Sequence, residues 1–272
     1  MFIRSLSYIF LLVLLVACAT NPVTGRKQLM LISEKQSISA SREAYVKMLE
    51  PLEEDGKIDS DPKLAKRINL ITAKLIAQAL IYRPETESWD WRVKIIDDPE
   101  TVNAFCMAGG KMAIYTGLVE QLDATDDELA QVMGHEIAHA LSAHTAERMS
   151  IALATNLAVT GFALTRDQPG VALAGASLAA ALAIQLPNSR QSESEADVIG
   201  IELAARAGYD PHAAVSLWKK MAEVSGNDSN FDFLSTHPAP SKRMEKLGKL
   251  IPEMLPLYEA KEERPLYPLK SD

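Results

Sequence analysis

The sequence predicts an α+β fold that is predominantly helical and carries a small antiparallel sheet. Helix-start signals precede several long stretches with apolar residues at helical spacing. One region, residues 89–115, instead holds an alternating apolar–charged run and two short extended stretches between turn residues. The chain has 272 residues, 47% of them apolar, which is enough for one or two domains with a sizeable core.

Two helices are predicted before the strands. Ser33 and Gln36 form a capping box that opens a helix ending near Leu52. Asp61 and Pro62 are an N-cap and a first-turn proline, and an apolar stripe follows them at helical spacing. We expect both helices to serve packing rather than chemistry.

The three predicted strands are short. Residues 89–95 alternate between apolar and charged side chains and end at a turn of two aspartates and a proline. The segments 104–107 and 112–115 lie on either side of Gly109 and Gly110. Short strands joined by turns predict a small antiparallel sheet.

The N-terminus is typical of an export signal. Arg4 is its only charge, and an apolar run too short to span a membrane stops at Cys18, which follows small residues as in a bacterial lipoprotein cleavage site. We expect residues 1–17 to be removed, Cys18 to be lipidated, and residues 18–32 to form an N-terminal tether. An ordinary secretory signal with an incidental cysteine is the alternative.

Composition excludes some partners and constraints. The 28 basic and 36 acidic residues give a net charge of −8, so no nucleic-acid partner is expected. Cys106 is the only other cysteine, so we expect a buried free thiol and no intramolecular disulfide. By resemblance to enterobacterial sorting rules, Ala19 after the cysteine favours the outer membrane.

A metal-binding motif lies on a predicted helix that begins at the Thr125–Glu128 capping box. His135 and His139 are four residues apart, which places both imidazoles on one helix face, and Glu136 lies beside them. This HExxH pattern predicts a zinc site. A catalytic zinc site also needs a third protein ligand and one open position.

Two segments offer a third ligand. His144 follows His135 by nine residues, and because no glycine interrupts the helix we expect it on the far side, facing solvent or capping a neighbouring element. Glu193 and Asp197 share a helix face, so Glu193 is the predicted ligand and Asp197 the acceptor for the second ring N–H of a ligating histidine. Glu195 should point away from that face, and it is the next candidate if Glu193 fails.

These motifs resemble the HtpX/CAAX-prenyl-endopeptidase family of gluzincin metallopeptidases, and most closely its periplasmic lipoprotein branch. The resemblance is carried by the HExxH motif, by Glu193-Ser194-Glu195-Ala196-Asp197, and by Asn103-Ala104-Phe105, Gly109-Gly110, Thr236-His237-Pro238 and Asn21-Pro22-Val23-Thr24-Gly25. It implies a zincin-like metallopeptidase domain, assigned here to residues 33–255, and a C-terminal tail, 256–272. It also implies one zinc ion held by His135, His139 and Glu193, with Glu136 as the catalytic base.

The resemblance further implies that the strand from Gly110 to Tyr115 is the edge along which substrate lies, with Gly110, Met112 and Ile114 as binding residues. Arg243 is a candidate for binding a substrate carbonyl or carboxylate. His237 could occupy the open metal position as a plug, which we favour, or stabilise an oxyanion. The uncharged segments within 151–186 predict a helical hairpin that covers the cleft or is only structural.

The expected activity is peptide-bond hydrolysis in the periplasm by a lipid-anchored enzyme, with misfolded or stalled envelope proteins as substrates and outer-membrane assembly machinery as a candidate partner. Two rivals remain: a non-proteolytic holdase or assembly factor, and a structural lipoprotein with a closed metal site. An intact Glu136 argues against both, because a structural zinc site has no use for an unliganded carboxylate beside the metal.

Overall fold

The computed structural model describes residues 18–164, 187–226, 232–237 and 241–269; of these, the side chains of Cys18, 156–164, Asp232 and Ser241 are not described. The predicted signal, 1–17, and residues 165–186 of the predicted hairpin lie outside the described residues. In chain order the elements are β1 (Cys18–Thr20), β2 (Lys27–Leu29), α1 (Glu34–Glu54), α2 (Pro62–Tyr82), β3 (Arg92–Ile96), β4 (Ala104–Met107), β5 (Lys111–Tyr115), α3 (Thr116–Gln121), α4 (Asp126–Leu141), α5 (His144–Leu164), α6 (Arg190–Ala207), α7 (Ala213–Ser225), α8 (Asp232–Thr236) and α9 (Ser241–Tyr258).

The predicted helix starts are confirmed. Ser33 and Gln36 make the reciprocal bonds of a capping box at α1, and Asp61 accepts the first free N–H groups of α2. Thr125 and Glu128 cap α4 in the same reciprocal way. These caps satisfy backbone donors that a helix end otherwise leaves unpaired, which is why short local patterns located the helix starts.

The α+β class is confirmed, but the sheet is mixed rather than antiparallel. Its strand order is β3-β5-β4, with β5 parallel to β3 and antiparallel to β4. The connection 97–103 leads from β3 to β4, which is not its neighbour in the sheet. Strand β5 then lies between the two. Because β5 is buried at four of its five residues, it suits the centre of the sheet better than an edge.

This topology contradicts the prediction that the strand from Gly110 to Tyr115 binds substrate. Met112 and Ile114 are fully buried, and the Met112 carbonyl accepts a hydrogen bond from the Tyr45 hydroxyl at 2.8 Å. Gly110 belongs to the β4–β5 turn with φ +79°, and a Cβ there would lie 2.5 Å from the Trp91 ring. Its glycine is needed for the turn and for close packing, and the free edge of the described sheet on this side is β4.

Helix α4 is buried in the core of the protein. Every residue from Glu128 to Leu141 is buried, and α4 packs against β4, α2 and α6. It crosses α6 at two glycines, where a Cβ on Gly134 would lie 2.8 Å from the Gly200 carbonyl oxygen. Small residues at a crossing allow two backbones to approach closely, so the two helices with the predicted ligands are held against each other.

Residues 18–32, predicted as a tether, contain an antiparallel hairpin of β1 and β2 that is docked on the body of the protein. The Gln28 amide donates to the Ser142 carbonyl at 2.9 Å, and the Ile32 N–H donates to Ser150 at 2.9 Å. The segment 256–269 is also docked, since α9 continues to Tyr258 and the Tyr267 N–H donates to the Ala73 carbonyl at 3.0 Å.

In the parts of the chain that the structure describes, no helix has the length and apolar character needed to cross a membrane. Cys106 is a buried free thiol, as predicted.

Candidate metal centre

Four side chains converge at one point between α4, α6 and α8. His135 and His139 come from α4, Glu193 from the first turn of α6, and His237 from the residue after α8; one ligand atom from each lies within 4.8 Å of all the others. At the crossing of α4 and α6, Gly134 precedes His135 and a Cβ on Gly200 would lie 2.8 Å from the N and Cα of His135, so we expect this crossing to set the distance between the histidine pair and Glu193. All four side chains are buried.

The separations within the cluster suit a tetrahedral metal. Nε2 of His139 lies 3.0 Å from Nε2 of His135 and 3.3 Å from Oε1 of Glu193, and Nδ1 of His237 lies 3.3 Å from Nε2 of His135. A zinc ion with bonds of about 2.0–2.1 Å separates its ligand atoms by about 3.3–3.4 Å. Three nitrogens and one carboxylate oxygen are also ligands that zinc accepts.

Asp197 and Arg243 support His135 from behind. Nδ1 of His135 lies 3.2 Å from Oδ1 of Asp197, and Nε of Arg243 donates to Oδ2 of that aspartate at 2.8 Å. Arg243 also donates to Glu193 and packs over the Trp218 ring. A carboxylate that accepts the Nδ1 proton leaves the Nε2 lone pair of His135 for a metal.

The prediction that Arg243 binds substrate is therefore wrong. Its guanidinium is buried and engaged by two carboxylates, and it holds the predicted ligand Glu193 and Asp197 in one geometry. Sequence spacing could not reveal this, because Arg243 is far along the chain from both partners.

His144 differs from its prediction as well. Helix α4 ends at Leu141, and Ala143 adopts φ +54°, so the chain turns without a glycine. The turn buries His144 and brings its Nδ1 to 2.8 Å from Nδ1 of His139, while its Nε2 lies 3.0 Å from Oε2 of Glu195. His144 is outside the converging cluster, but it contacts a predicted ligand directly.

Glu195 points away from the cluster, as its position on α6 predicts, and its carboxylate is fully engaged. Besides His144 it accepts hydrogen bonds from Arg26, Thr24 and Asn21 of the N-terminal hairpin. Burial disfavours its charge, but the bonds from His144 and Arg26 outweigh this and lower the pKa of Glu195 to about 2.

Burial and hydrogen bonding shift the pKa values of three side chains of the cluster in different directions. Burial lowers the pKa of His139, so its imidazole is neutral and able to coordinate. Burial also disfavours charge on His135, but hydrogen bonds to Asp197 and Glu193 outweigh it and raise its pKa to about 9. The pKa of Glu193 falls far below its usual range because the neighbouring histidines outweigh its burial.

Glu136 has one buried carboxylate oxygen to which no described group donates a hydrogen bond. That atom, Oε1, lies 3.3 Å from Nε2 of His237. Buried carboxylate oxygens normally accept a hydrogen bond. The unpaired Oε1 therefore fits a site in which Glu136 faces a bound water next to a metal ion.

A cleft opens onto this site. Phe105 and Met107 of β4 line this cleft together with Glu136, His139, Arg148 and Asn188. The edge of β4, and not β5, is therefore the extended backbone beside the predicted metal.

Sequence reasoning missed three contributors to the site: His144, Glu195 as its acceptor, and Arg26. The first could be suspected because the histidine follows the HExxH motif closely, but a left-handed alanine is not visible in a pattern. The others depend on contacts between distant segments: Glu195 and His144 are 51 residues apart, and Arg26 and Glu195 are 169 apart.

The comparisons agree with this geometry. A model of peptidase family M48 matches residues 62–251. The chain is 30% identical over 248 residues to mitochondrial metalloendopeptidase OMA1 of Saccharomyces cerevisiae, covering 88% of this chain and 70% of that protein. It is 31% identical over 256 residues to metalloendopeptidase OMA1, mitochondrial, of Bos taurus, covering 88% of this chain and 47% of that protein.

A bacterial relative is also similar. The chain is 29% identical over 206 residues to the beta-barrel assembly-enhancing protease of Escherichia coli K12, covering 73% of this chain and 41% of that protein. The chain thus spans about half or less of the bovine and bacterial relatives. Because the family model covers most of the chain, including both predicted ligand helices, this protein belongs to peptidase family M48, the zinc-dependent metalloendopeptidases.

Proposed function

We propose that this protein is a lipid-anchored periplasmic endopeptidase that cleaves misfolded or stalled envelope proteins, using His135, His139 and Glu193 as zinc ligands and Glu136 as the base. The observation that carries the catalytic part is Glu136, whose buried Oε1 accepts no hydrogen bond from any described residue. A structural metal site would gain nothing from such a group.

Each side chain has a chemical task in this proposal. Bound zinc would supply Lewis acidity, which activates a water and polarises the scissile carbonyl. Glu136 takes the proton of the attacking water and passes it to the leaving amine. Asp197 and Arg243 hold His135 and Glu193 in their binding geometry, through the contacts of 3.2 Å and 2.8 Å described above.

Substrate lies as an extended strand along β4 in this proposal. The strand has one described neighbour in its sheet, β5, and its other side borders the cleft next to Glu136. Addition of a peptide to a sheet edge binds backbone rather than particular side chains. That mode suits substrates whose only shared feature is an exposed, unfolded segment.

His237 acts as a plug in this proposal. Its Nδ1 lies 3.0 Å from Oε1 of Glu193 and 3.3 Å from Nε2 of His135, which is the place of a fourth ligand. Its ring stacks on Phe233 at 4.4 Å, so the imidazole and α8 are held together. A closed tetrahedral site lacks the open position that catalysis needs, so His237 must move before substrate is cleaved.

The envelope location has two supports. Residues 1–18 carry the pattern of a lipoprotein signal, and two bacterial relatives, of Escherichia coli and Yersinia pestis, are named beta-barrel assembly-enhancing protease. We place this protein in the periplasmic lipoprotein branch suggested by the HtpX/CAAX-type motifs, anchored through Cys18 to the outer membrane. Unfolded outer-membrane proteins and their assembly machinery are then the partners within reach.

The rival function is a holdase that binds without cleaving. We would test the two with a urea-unfolded outer-membrane β-barrel protein, diluted into wild type or Glu136→Gln, with its detergent-folded form as the control substrate. Fragments from the unfolded form alone, and only with wild type, support the peptidase. Equal protection from aggregation by both proteins, with no fragments from either, would replace the peptidase with the holdase.

A further inference from the structure

The N-terminal hairpin reaches the metal centre through a continuous line of hydrogen bonds. Nε of Arg26 donates to Oε1 of Glu195 at 2.7 Å. Oε2 of the same carboxylate lies 3.0 Å from Nε2 of His144. Nδ1 of His144 then lies 2.8 Å from Nδ1 of His139, whose Nε2 faces the other predicted ligands.

Proton positions along this line follow from its two ends. A carboxylate only accepts, so Nε2 of His144 carries a proton and donates it to Glu195. Nδ1 of His144 is then an acceptor, and Nδ1 of His139 must be the donor across the 2.8 Å contact. That leaves the Nε2 lone pair of His139 directed at the cluster, which is the tautomer a metal requires.

His135 is supported by a similar line of hydrogen bonds. His135 is oriented by Asp197, and Asp197 is held by Arg243. Each predicted histidine ligand therefore has a carboxylate behind it, directly or through a second imidazole, and an arginine behind the carboxylate. The difference is that Arg26 comes from the segment next to Cys18 and not from the helical body.

We propose that the docked hairpin is part of the metal site, with Arg26 as a positioning residue that acts through Glu195 and His144 to fix the zinc-binding tautomer and orientation of His139. This inference rests on the proposed role of His139 as a ligand. It assigns a task to the Asn21–Gln28 segment, which the peptidase chemistry itself does not use.

Three side chains of the hairpin donate hydrogen bonds to the Glu195 carboxylate. Besides Arg26, the side chains of Asn21 and Thr24 donate to the same carboxylate, at 3.3 Å and 3.2 Å. Arg26 also pairs with Glu147 at 2.6 Å. Glu147 docks the hairpin through both of its carboxylate oxygens and forms no hydrogen bond with either histidine, although its charge acts on His144 through space. A Glu147 variant therefore weakens the docking and leaves the hydrogen-bonded line intact.

The test is the zinc dissociation constant of the full chain, measured by competition with a chromogenic chelator, which requires no hydrolysis. We expect His144→Phe to raise it by about 10–100-fold, as loss of a group supporting a metal ligand typically does, and Arg26→Gln by about tenfold. Glu147→Gln should change it much less than Arg26→Gln does. Arg206→Gln, which breaks an ordinary ion pair with Glu202 on the same helix α6, is the matched surface control.

The double variant decides between positioning and general stabilisation. If Arg26 acts through His144, Arg26→Gln adds nothing to the zinc dissociation constant in the His144→Phe background. Independent, multiplying effects, or an Arg26→Gln effect no larger than that of Glu147→Gln, would overturn the proposal. Should Arg26→Gln not fold, Glu195→Gln keeps the side-chain volume and is measured in the same cycle.

His139→Ala is measured in parallel to separate this inference from the proposed function. Undiminished zinc binding by that variant would remove the ligand on which the inference depends and overturn both. Tight zinc binding by wild type without any peptide cleavage would contradict the peptidase alone, because the dissociation constants of the cycle would still stand.

Discussion

A substitution at Gly200, where α6 crosses α4, should change the geometry of the predicted metal site. A Cβ at this position would lie 2.8 Å from both N and Cα of His135. These are backbone atoms, which cannot swing aside as a flexible side chain can. In Gly200→Ala the two helices must therefore separate by about 0.6 Å to reach ordinary contact at 3.4 Å.

A shift of this size should disrupt the geometry of the zinc ligands but destabilise the fold only moderately. Zinc ligands tolerate about 0.2 Å of error in their distances, and the shift separates Glu193 on α6 from the histidine pair on α4. Overpacking of a core typically costs about 1–3 kcal/mol, which for a chain of this size lowers Tm by about 2–12 °C. We expect Gly200→Ala to fold but to lose most of its zinc.

Zinc content after gel filtration and thermal unfolding of the metal-free protein are the assays. Gly248→Ala is the matched control, because Gly248 lies in helix α9 with no heavy atom within 4 Å of an added Cβ. It should keep its zinc and gain about 0.4–1 kcal/mol. Stoichiometric zinc and an unchanged Tm in Gly200→Ala would refute the claim that this crossing sets the ligand geometry.

Three further predictions concern the plug, the anchor and the helix cap. His237→Ala should raise basal cleavage of an unfolded protein; a loss of about 10²–10³ in turnover would make His237 an oxyanion donor instead. Cys18→Ala should abolish lipid modification, detected as a lost acyl mass and lost detergent partition; unchanged partition would contradict the anchor. Glu128→Gln should lower the free energy of unfolding by about 1 kcal/mol at pH 7. Burial raises the pKa of Glu128, but hydrogen bonds from Lys220 and Ser216 outweigh it and lower the pKa, so the difference should be full above the unfolded-state pKa of about 4.3 and be lost as pH falls through the lower folded-state pKa. A difference that persists in acid would contradict this.

The sequence predicted the features that depend on neighbouring residues. The capping boxes at Ser33 and Thr125 and the turn at Gly109 and Gly110 are local, so periodicity and turn chemistry were sufficient. The four residues that converge in the structure were also among the predicted site residues. Their roles as ligands, and that of Glu136 as base, stay predictions.

Features that depend on distant contacts could not be predicted in this way. The central place of β5 follows from how 97–103 crosses the sheet, and the engagement of Arg243 follows from α9 packing beside α6. His144 was misplaced because Ala143 adopts a left-handed conformation that favours glycine. The docking of residues 18–32 depends on Glu147 and Glu195, far along the chain from the hairpin.

The central claim is that Glu136 is the base of a zinc peptidase. The most direct measurement is hydrolysis of an unfolded protein by Glu136→Gln, with its zinc content determined on the same sample. We predict one zinc per chain and a fall in turnover of about 10²–10⁴, as removal of a general base causes. Turnover close to that of wild type, with zinc bound, would contradict the account.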